Sequence, residues 1–521
     1  MCTPDPGPHR DALDPGRQNA VADFHLRSRN TGRTVATMNA SSPGLLRTLD
    51  ARDLGPSFIY LAVLATIGGF LFGFDTSNIG SALPFLPFHL GPVATGIVVS
   101  GASLGSFVGA LLAGPLTDKF GRKSVLIADS ALFAIGAIIS AAAVGAVSLT
   151  VGRVIIGLAV GADSAMATAY ISEFAPKARR GSLGIIQQWM ITIGILAAYI
   201  VAVIILAIAP DAASTVDWRV LLGVGFIPAI VSLALRARMP ESPRWLLEHG
   251  REEGGLKAFH KLGLDATPEQ VSAEAAAVKA ERERVASTTN WTKPVKRALV
   301  IVCVFFILQQ ITGINVAFYY GPHLLTPYFL TDPNDMVAAE ISGVMAATIL
   351  AIVNVIATYF AFRFIDKVGR RRLAIGAYAL MIVFLLIGAY GAAFMDGTPQ
   401  LIVIMVGFSL FIACFAIGIG GTGWLLQGEV FPTAVRGRAG GIGAAADWIA
   451  NYGLVIMFPI AAAGLGLGWV MVIFAGLCAV GVVFVYRFLP ETKGKSVEEV
   501  VELFNGPVNL KNPSQPTVPM R

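Results

Sequence analysis

The chain has 521 residues, of which 55% are apolar and only 14% are charged, and its formal net charge is +6. A soluble protein of this length and composition would leave too much apolar surface in water, so an ordinary globular domain is excluded. A positive net charge can indicate nucleic-acid binding, but here the basic residues that lie between apolar segments are concentrated in alternate loops, so no nucleic-acid partner is expected.

Residues 1–56 carry Pro, Asp, Arg and Ser without apolar periodicity. This composition predicts a disordered tail, which the charge bias described below assigns to the cytoplasm. Met38 is an alternative translation start within the tail. The first apolar segment that follows is hydrophobic enough to act as its own membrane-targeting signal.

Twelve apolar segments follow, each near the length of about 20 residues that crosses the hydrocarbon core of a bilayer as a helix. We number them spans 1 to 12, and their predicted ranges are 57–80, 92–114, 124–146, 148–170, 183–208, 217–236, 297–320, 337–362, 372–394, 400–427, 438–463 and 466–488. This pattern predicts an all-α membrane protein of twelve transmembrane helices embedded in the lipid bilayer.

Between spans 6 and 7 the apolar pattern stops over 237–296, a charged and Ala-rich segment. A helix start at Thr267 is indicated by the Pro and Glu that follow it, so this linker is predicted to form short cytoplasmic helices. The linker separates an N-terminal half, 57–236, from a C-terminal half, 297–488. Residues 489–521 are predicted to form a second cytoplasmic tail.

Charged residues are distributed unevenly between two alternating sets of loops. The basic residues of one set are Lys119, Arg122, Lys123, Lys177, Arg179, Arg180, Arg363, Lys367, Arg370, Arg371, Arg372, Arg436 and Arg438. The other set holds Asp211, Asp217, Asp332, Asp335 and Asp396, with Arg219 as its one base. Because loops rich in Lys and Arg remain in the cytoplasm, both termini are predicted to be cytoplasmic and the protein to lie in the cell membrane.

Cysteine and histidine give no pattern typical of a disulfide, a metal site or a catalytic cluster. Cys303, Cys414 and Cys478 lie in apolar segments, and the six histidines are scattered. We therefore predict no cofactor, no metal and no enzymatic activity.

The two halves repeat one another in sequence. The repeated pairs are GPLTDKFGRK (114–123) with FRFIDKVGRR (362–371), SEFAPKARRG (172–181) with GEVFPTAVRG (428–437), and PESPRWLL (240–247) with PETKGKSV (490–497). They are separated by 248, 256 and 250 positions. A nearly constant offset indicates an internal duplication, and duplicated bundles with a site between them are typical of transporters.

These markers resemble the sugar porter family of the major facilitator superfamily, and the resemblance extends from about Gly68 to Ser496. Its motifs are GGFLFGFDT (68–76), the two D-x-x-G-R-[RK] loops, PESPRWL (240–246), QQITGIN (309–315) and PETKG (490–494). Each motif is short, but together and in this order they are specific. The resemblance implies the major facilitator fold and a monomeric importer of a sugar or polyol, of the hexose, pentose or inositol class, that works by alternating access.

Asp75 lies inside span 1, and Arg153 lies at the start of span 4. A carboxylate within the bilayer is costly unless it is protonated or paired, so intramembrane acids are functional candidates. In proton-coupled sugar porters the matching Asp accepts the proton and the matching Arg is its ion-pair partner, whereas facilitative members often carry Asn. The resemblance therefore implies proton symport through Asp75, with a static ion pair as the alternative.

Sugar hydroxyls are recognised by neutral hydrogen-bond donors and acceptors. Span 7 supplies such groups in Gln309, Gln310 and Asn315, with Gly313 between them. The resemblance adds substrate contacts from other spans, which are Gln188, Asn354, Trp424, Asp447 and Trp448. For each residue the alternative is helix–helix hydrogen bonding or core packing.

Charged residues of the duplicated loops form a third candidate group, for which the resemblance implies an inner salt-bridge network that holds the outward-open state. Its members are Asp118, Arg122, Glu173, Arg180, Glu241, Arg244, Asp366, Arg370, Glu429, Arg436 and Glu491. Single exposed pairs contribute little, but a network that bridges the two halves can bias an equilibrium between two conformations. The arginines also act as topology signals.

Some residues depart from the family's usual pattern. Span 10 reads GIGGTGW at 418–424, where relatives usually read G-P-G-P-I-P-W, and Asp163 and Asp447 are additional acids in spans 4 and 11. Three alternatives to proton-driven sugar import therefore stay open. They are a facilitative sugar uniporter, a transporter of a charged metabolite or organic cation, and a nutrient sensor, which the short C-terminal tail disfavours.

Overall fold

The computed structural model describes residues 44–51, 56–174, 180–286, 291–330, 336–495, 497–510 and 512–515. Twelve helices in this part of the chain are long and apolar enough to cross a membrane, which confirms the predicted all-α membrane fold. From span 1 to span 12 the helices are Pro56–Ala82, Pro92–Phe120, Arg122–Ala141, Ala146–Phe174, Arg180–Ile208, Trp218–Val224 with Phe226–Ala237, Lys293–Ile311, Met336–Val368, Arg370–Phe394, Gly397–Phe415 with Gly421–Glu429, Thr433–Leu465 and Leu467–Phe488.

Several spans are longer than their apolar segments. Span 8 continues past the predicted end at 362 through charged residues to Val368. Lys, Arg and Asp are compatible with a helix, and the helix ends only where Gly369 adopts a φ of 102°. The charged last turns therefore belong to the helices, and the apolar pattern marks only their membrane-spanning part.

The linker between the halves forms three short helices, Pro243–Glu248, Glu252–Lys261 and Pro268–Ala286. The last one begins as the sequence predicts, because Thr267 and Gln270 exchange hydrogen bonds between side chain and backbone in a capping box. We call the end of the bundle that carries these helices the linker face and the other end the opposite face.

The predicted N-terminal tail lies mostly outside the described residues, but the structure differs from that prediction at Leu45–Ala51, which form a helix. The backbone N–H of Leu45 donates to Glu274 of the linker at 2.8 Å, and Leu49 is buried. These leucines have an apolar surface to pack on, which a disordered segment lacks.

The halves meet along two pairs of spans. Span 2 packs along span 11, and span 5 packs along span 8. Within the N-terminal half, spans 2 and 4 approach closely because glycine lines both surfaces. A Cβ atom on Gly105 would overlap the backbone of Val154, and one on Gly161 would overlap the backbone of Ser106.

The duplicated loops adopt the same geometry in both halves. Gly121 and Gly369 have φ values of 89° and 102°, and each lies between two spans. Glu241 accepts hydrogen bonds from the first N–H groups of span 3, and Glu491 accepts them from those of span 9. A carboxylate at a helix N-terminus satisfies unpaired N–H groups and the positive end of the helix dipole. The repeat in sequence therefore corresponds to a repeated turn in structure.

Candidate functional site

Asp75 and Arg153 are in contact where spans 1 and 4 meet. Arg153 Nη1 donates to Asp75 Oδ1 at 2.5 Å, and Arg153 Nη2 donates to the carbonyl of Val99 in span 2 at 3.3 Å. Arg153 is fully buried, and Asp75 is 6% exposed. Charges removed from water in this way require a partner, so protonation of the carboxylate would leave the arginine uncompensated.

Gln310 in span 7 is the centre of a hydrogen-bond network with span 11. Its Nε2 donates to Asp447 Oδ1 at 2.8 Å, and its Oε1 accepts from Asn315 Nδ2 at 2.7 Å and from Asn451 Nδ2 at 2.8 Å. The hydroxyl of Ser103 in span 2 donates to Asn451 Oδ1 at 2.6 Å. We call these five residues the Gln310 network. Because both ends of the Gln310 amide are engaged, its orientation is determined by its partners.

Tyr319 lies between this network and the Asp75–Arg153 pair. It belongs to the short helix Val316–Tyr319 that follows the break in span 7. Its buried side chain interacts with Thr76 and Ser103 and with the charges of the pair. A line of polar side chains therefore connects the pair to the Gln310 network across both halves.

Gln309 faces span 10 rather than the Gln310 network. Its Nε2 donates to the carbonyls of Gly420 at 3.1 Å and Ile419 at 3.4 Å. These carbonyls lie in the π-helical turn Ala416–Gly420, which interrupts span 10. A π-helical turn departs from the regular α-helical hydrogen-bond ladder, and such turns are frequent at functional sites. Gln188 of span 5 lies against the same turn, beside Gly420.

The remaining predicted substrate contacts are buried side chains of spans 8, 10 and 11. Trp424 packs edge-on against Phe306, with ring centroids 5.1 Å apart. Trp448 donates to the hydroxyl of Ser164 at 3.0 Å. Asn354 is 4% exposed, and its side-chain amide has no hydrogen bond to a described residue.

The charged residues of the duplicated loops form matching pairs in the two halves. Arg122 pairs with Glu173 at 3.0 Å, and Arg370 pairs with Glu429 at 2.7 Å and Asp366 at 3.0 Å. These described pairs each connect residues of one half, whereas the sequence led us to expect a network that bridges the two halves. They attach the ends of spans 4 and 10 to the loops of their own half.

The other members of this group take different positions at the linker face. Asp118 is exposed and acts electrostatically on Arg122. Burial raises the pKa of Glu241, although the hydrogen bonds that its carboxylate accepts from backbone N–H groups lower this pKa. Arg436 donates to the carbonyl of Phe431, Arg244 is half-buried, and the side chain of Arg180 lies outside the described residues.

The two additional acids differ in their surroundings. Asp447 belongs to the Gln310 network, whereas Asp163 forms an ion pair with Arg236 inside the N-terminal half. Sequence reasoning did not assign Arg236 or Asn451 to a site. The sequence could have indicated Asn451, because this residue follows Asp447 by four positions and therefore lies on the same face of span 11.

The chain is similar to known transporters in sequence and in fold. Residues 61–504 match the family model described as sugar (and other) transporter. The chain is 36% identical over 444 residues to the glucose transporter GlcP of Staphylococcus epidermidis, a match that covers 84% of this chain and 95% of the relative. It is 33% identical over 457 residues to the arabinose-proton symporter of Bacillus subtilis, with 86% and 95% covered.

The fold is similar to that of a solved structure, the partially occluded inward-open conformation of the xylose transporter XylE from E. coli. The TM-score is 0.72 at 28% sequence identity, and the match covers 85% of this chain and 100% of the other. These relatives are transporters rather than enzymes, which confirms the prediction made from the motifs. The chain is therefore a multi-pass membrane protein that belongs to the sugar porter family of the major facilitator superfamily.

Proposed function

We propose that this protein imports a sugar or polyol across the cell membrane by proton symport, with both termini in the cytoplasm. Sugar as the substrate class is supported by the relatives, which include a glucose transporter and an arabinose-proton symporter. The orientation is supported by the basic loops, which lie at the linker face. The observation that carries proton coupling is the buried contact between Asp75 and Arg153.

Asp75 is the group that takes up the proton. When it is ionised, Arg153 compensates its charge, and when it is protonated, Arg153 loses its partner. The line of polar side chains through Tyr319 and Ser103 extends from this pair to the Gln310 network. Proton and sugar then bind cooperatively, because each favours the same conformation.

The sugar is held by neutral amides and aromatic rings. Gln310, Asn315 and Asn354 supply donors and acceptors for hydroxyl groups, and Trp424 offers an apolar face to the C–H side of a sugar ring. Asp447 accepts from Gln310 and so orients that amide. Gln309 and Gln188 hold the wall of the site in position, since both side chains contact the π-helical turn of span 10.

Uptake into proteoliposomes tests the proposal. We expect the wild-type protein to accumulate a radiolabelled sugar from a panel of hexoses, pentoses and inositol when the outside is acidic. Asp75→Asn removes the exchangeable proton while nearly preserving shape, so it should bind the same sugar and lose uphill accumulation. Asp396→Asn, a change at an exposed acid, is the matched control. A wild-type protein that equilibrates sugar without any response to the pH gradient would be a facilitative uniporter.

A substrate that carries a protonated amine is a second candidate, which Asp447 favours. This carboxyl is 2% exposed, and its described partner is a neutral amide rather than a cation. A buried carboxylate without a cation is stabilised by a proton or by a cationic ligand. Competition between D-glucose and D-glucosamine separates these cases. Tighter binding of the amino sugar supports an ammonium group at Asp447, and equal binding removes this candidate.

A further inference from the structure

A second group of buried charges lies in the N-terminal half, separate from the Gln310 network. Asp129 of span 3, Asp163 of span 4 and Arg236 of span 6 are 4%, 2% and 1% exposed. Asp163 is joined to Arg236 by an ion pair, and Asp129 interacts electrostatically with both. We call these three residues the inner cluster.

Arg236 is held by acceptors on three other spans. Its Nη1 donates to the carbonyl of Leu126 at 3.0 Å and to the Ser130 hydroxyl at 3.2 Å, and its Nη2 donates to the carbonyl of Ala65 at 3.3 Å and to Asp163 Oδ1. A guanidinium with four acceptors remains charged and fixed in place. The inner cluster therefore contains one permanent positive charge.

The two carboxyl groups are incompletely partnered. Oδ2 of Asp129 and Oδ2 of Asp163 are buried without a hydrogen bond, and no hydrogen bond to the Asp129 carboxyl is described. Among the described residues, the neutral Gln187 of span 5 is the other polar group acting on Asp163, and span 1 contributes Gly68 and no charged side chain. Two ionised acids beside one arginine would leave a net negative charge away from water, which is strongly unfavourable.

From this count of charges we propose that Asp129 and Asp163 share one exchangeable proton, so that the inner cluster is a second proton-binding site of the transporter. With one carboxyl neutral and the other paired with Arg236, the cluster has no net charge. A carboxylic acid also donates a hydrogen bond, which an unpartnered carboxylate oxygen can accept. Two carboxyl groups near each other rarely ionise together, and the protonated one depends on its surroundings.

The inner cluster lies between the Asp75–Arg153 pair and the linker face. Asp163 follows Arg153 by ten positions in span 4, which corresponds to about 15 Å along the helix. The Asp163 side chain packs directly on Gly68 of span 1, which precedes Asp75 by seven positions. A side chain at position 68 would overlap the Asp163 carboxyl group. The two sites therefore occupy the same pair of spans at two depths, with the second one nearer the linker face.

Infrared spectroscopy of the purified full-length protein directly measures how many carboxyl groups are protonated, because a protonated carboxyl group has a C=O band that a carboxylate lacks. At neutral pH, Asp129→Asn leaves one acid beside Arg236, and so does Asp163→Asn. Each variant should therefore lose the band of one carboxyl group relative to wild type. Asp396→Asn, at an exposed acid, should leave the band unchanged. The measurement requires no substrate, so its outcome is independent of the transport proposal.

Two further measurements make the result decisive. Arg236→Gln leaves two acids without a base, and if this variant folds it should gain the band of one carboxyl group. The wild-type band should shift on transfer to D2O, since the proton exchanges with water. If both aspartate variants keep the wild-type band, both acids are ionised and the proposal is wrong. A band that does not shift in D2O would equally overturn it, because the site would then hold no exchangeable proton.

Discussion

Buried carboxyl groups of this chain differ in how their charge is compensated. Among the described residues, Asp75 is paired with Arg153 and Asp163 with Arg236, whereas Asp447 accepts a hydrogen bond from the neutral amide of Gln310. Burial makes the charged form of each carboxyl group unfavourable. A carboxylate paired with an arginine can remain charged, whereas one without a cation is stabilised by a proton or by a cationic ligand. The surroundings of each carboxyl group, rather than its position in the membrane alone, therefore determine how its charge is compensated.

Gln310→Ala is expected to weaken sugar binding by about 1–3 kcal/mol, because a desolvated hydroxyl group of the sugar loses its partner. The change also frees Asp447, Asn315 and Asn451 from their common partner. Isothermal titration calorimetry of the purified variant measures this. Gln427→Ala is the control, since Gln427 is an equally buried glutamine that lies instead against Gly440. Wild-type affinity in a folded Gln310→Ala protein would remove this residue from the substrate site.

At the scale of helices, two local features shape the interior. Glycines let spans 2 and 4 approach at backbone distance, which brings Val99 of span 2 within reach of Arg153. Span 10 is interrupted by a π-helical turn whose carbonyls accept from Gln309. Ile419, Gly421 and Gly423 occupy the three positions at which the family's usual pattern has proline. A π-helical turn is an alternative way to interrupt a helix without losing a donor.

Gly161→Leu should destabilise the protein by roughly 1–3 kcal/mol or prevent its accumulation, because a side chain at this position overlaps the backbone of Ser106 in span 2. Fluorescence-detected size-exclusion chromatography after heating measures the effect. The matched change is Gly476→Leu in span 12, where no atom lies within 4 Å of the added Cβ. Equal thermal stability of the two variants would show that close packing of spans 2 and 4 is dispensable.

The membrane-spanning part that the structure describes consists of two halves that touch at both faces. At the opposite face the hydroxyl of Tyr199 in span 5 donates to the carbonyl of Phe318 at 2.7 Å. At the linker face Ile185 of span 5 packs with Leu425 of span 10 and Ile365 of span 8. Alternating access requires these contacts to open in turn, and the ion pairs that position spans 4 and 10 lie beside the contact at the linker face.

Arg122→Ala combined with Arg370→Ala should favour conformations open at the linker face, since the ends of spans 4 and 10 lose their ion-pair partners. A cysteine introduced for Leu425 in a background without native cysteines should then react faster with an impermeant maleimide from the linker side. Arg238→Ala with Arg363→Ala removes two exposed bases at the same face and should have no effect. Unchanged labelling in the first double variant would reduce Arg122 and Arg370 to topology signals.

Much of the fold follows from the sequence because membrane helices are encoded locally. An apolar segment of about 20 residues is a span whatever surrounds it, since a backbone in hydrocarbon must satisfy its own hydrogen bonds. Motifs of a few residues, such as GGFLFGFDT (68–76), which contains Asp75, then identify the family. Helix ends were less predictable, because charged last turns in span 8 carry no apolar signal.

Pairing between distant residues was decided only by the tertiary structure. The sequence by itself determined the twelve spans, the duplication and the acids that are unusual inside a membrane. It treated Asp163 and Asp447 alike, and the structure separated them by placing Arg236 beside one and Gln310 beside the other. The reason is physical: the free energy of a buried charge depends on its neighbours in space, and helix packing chooses those neighbours from segments far apart in the chain.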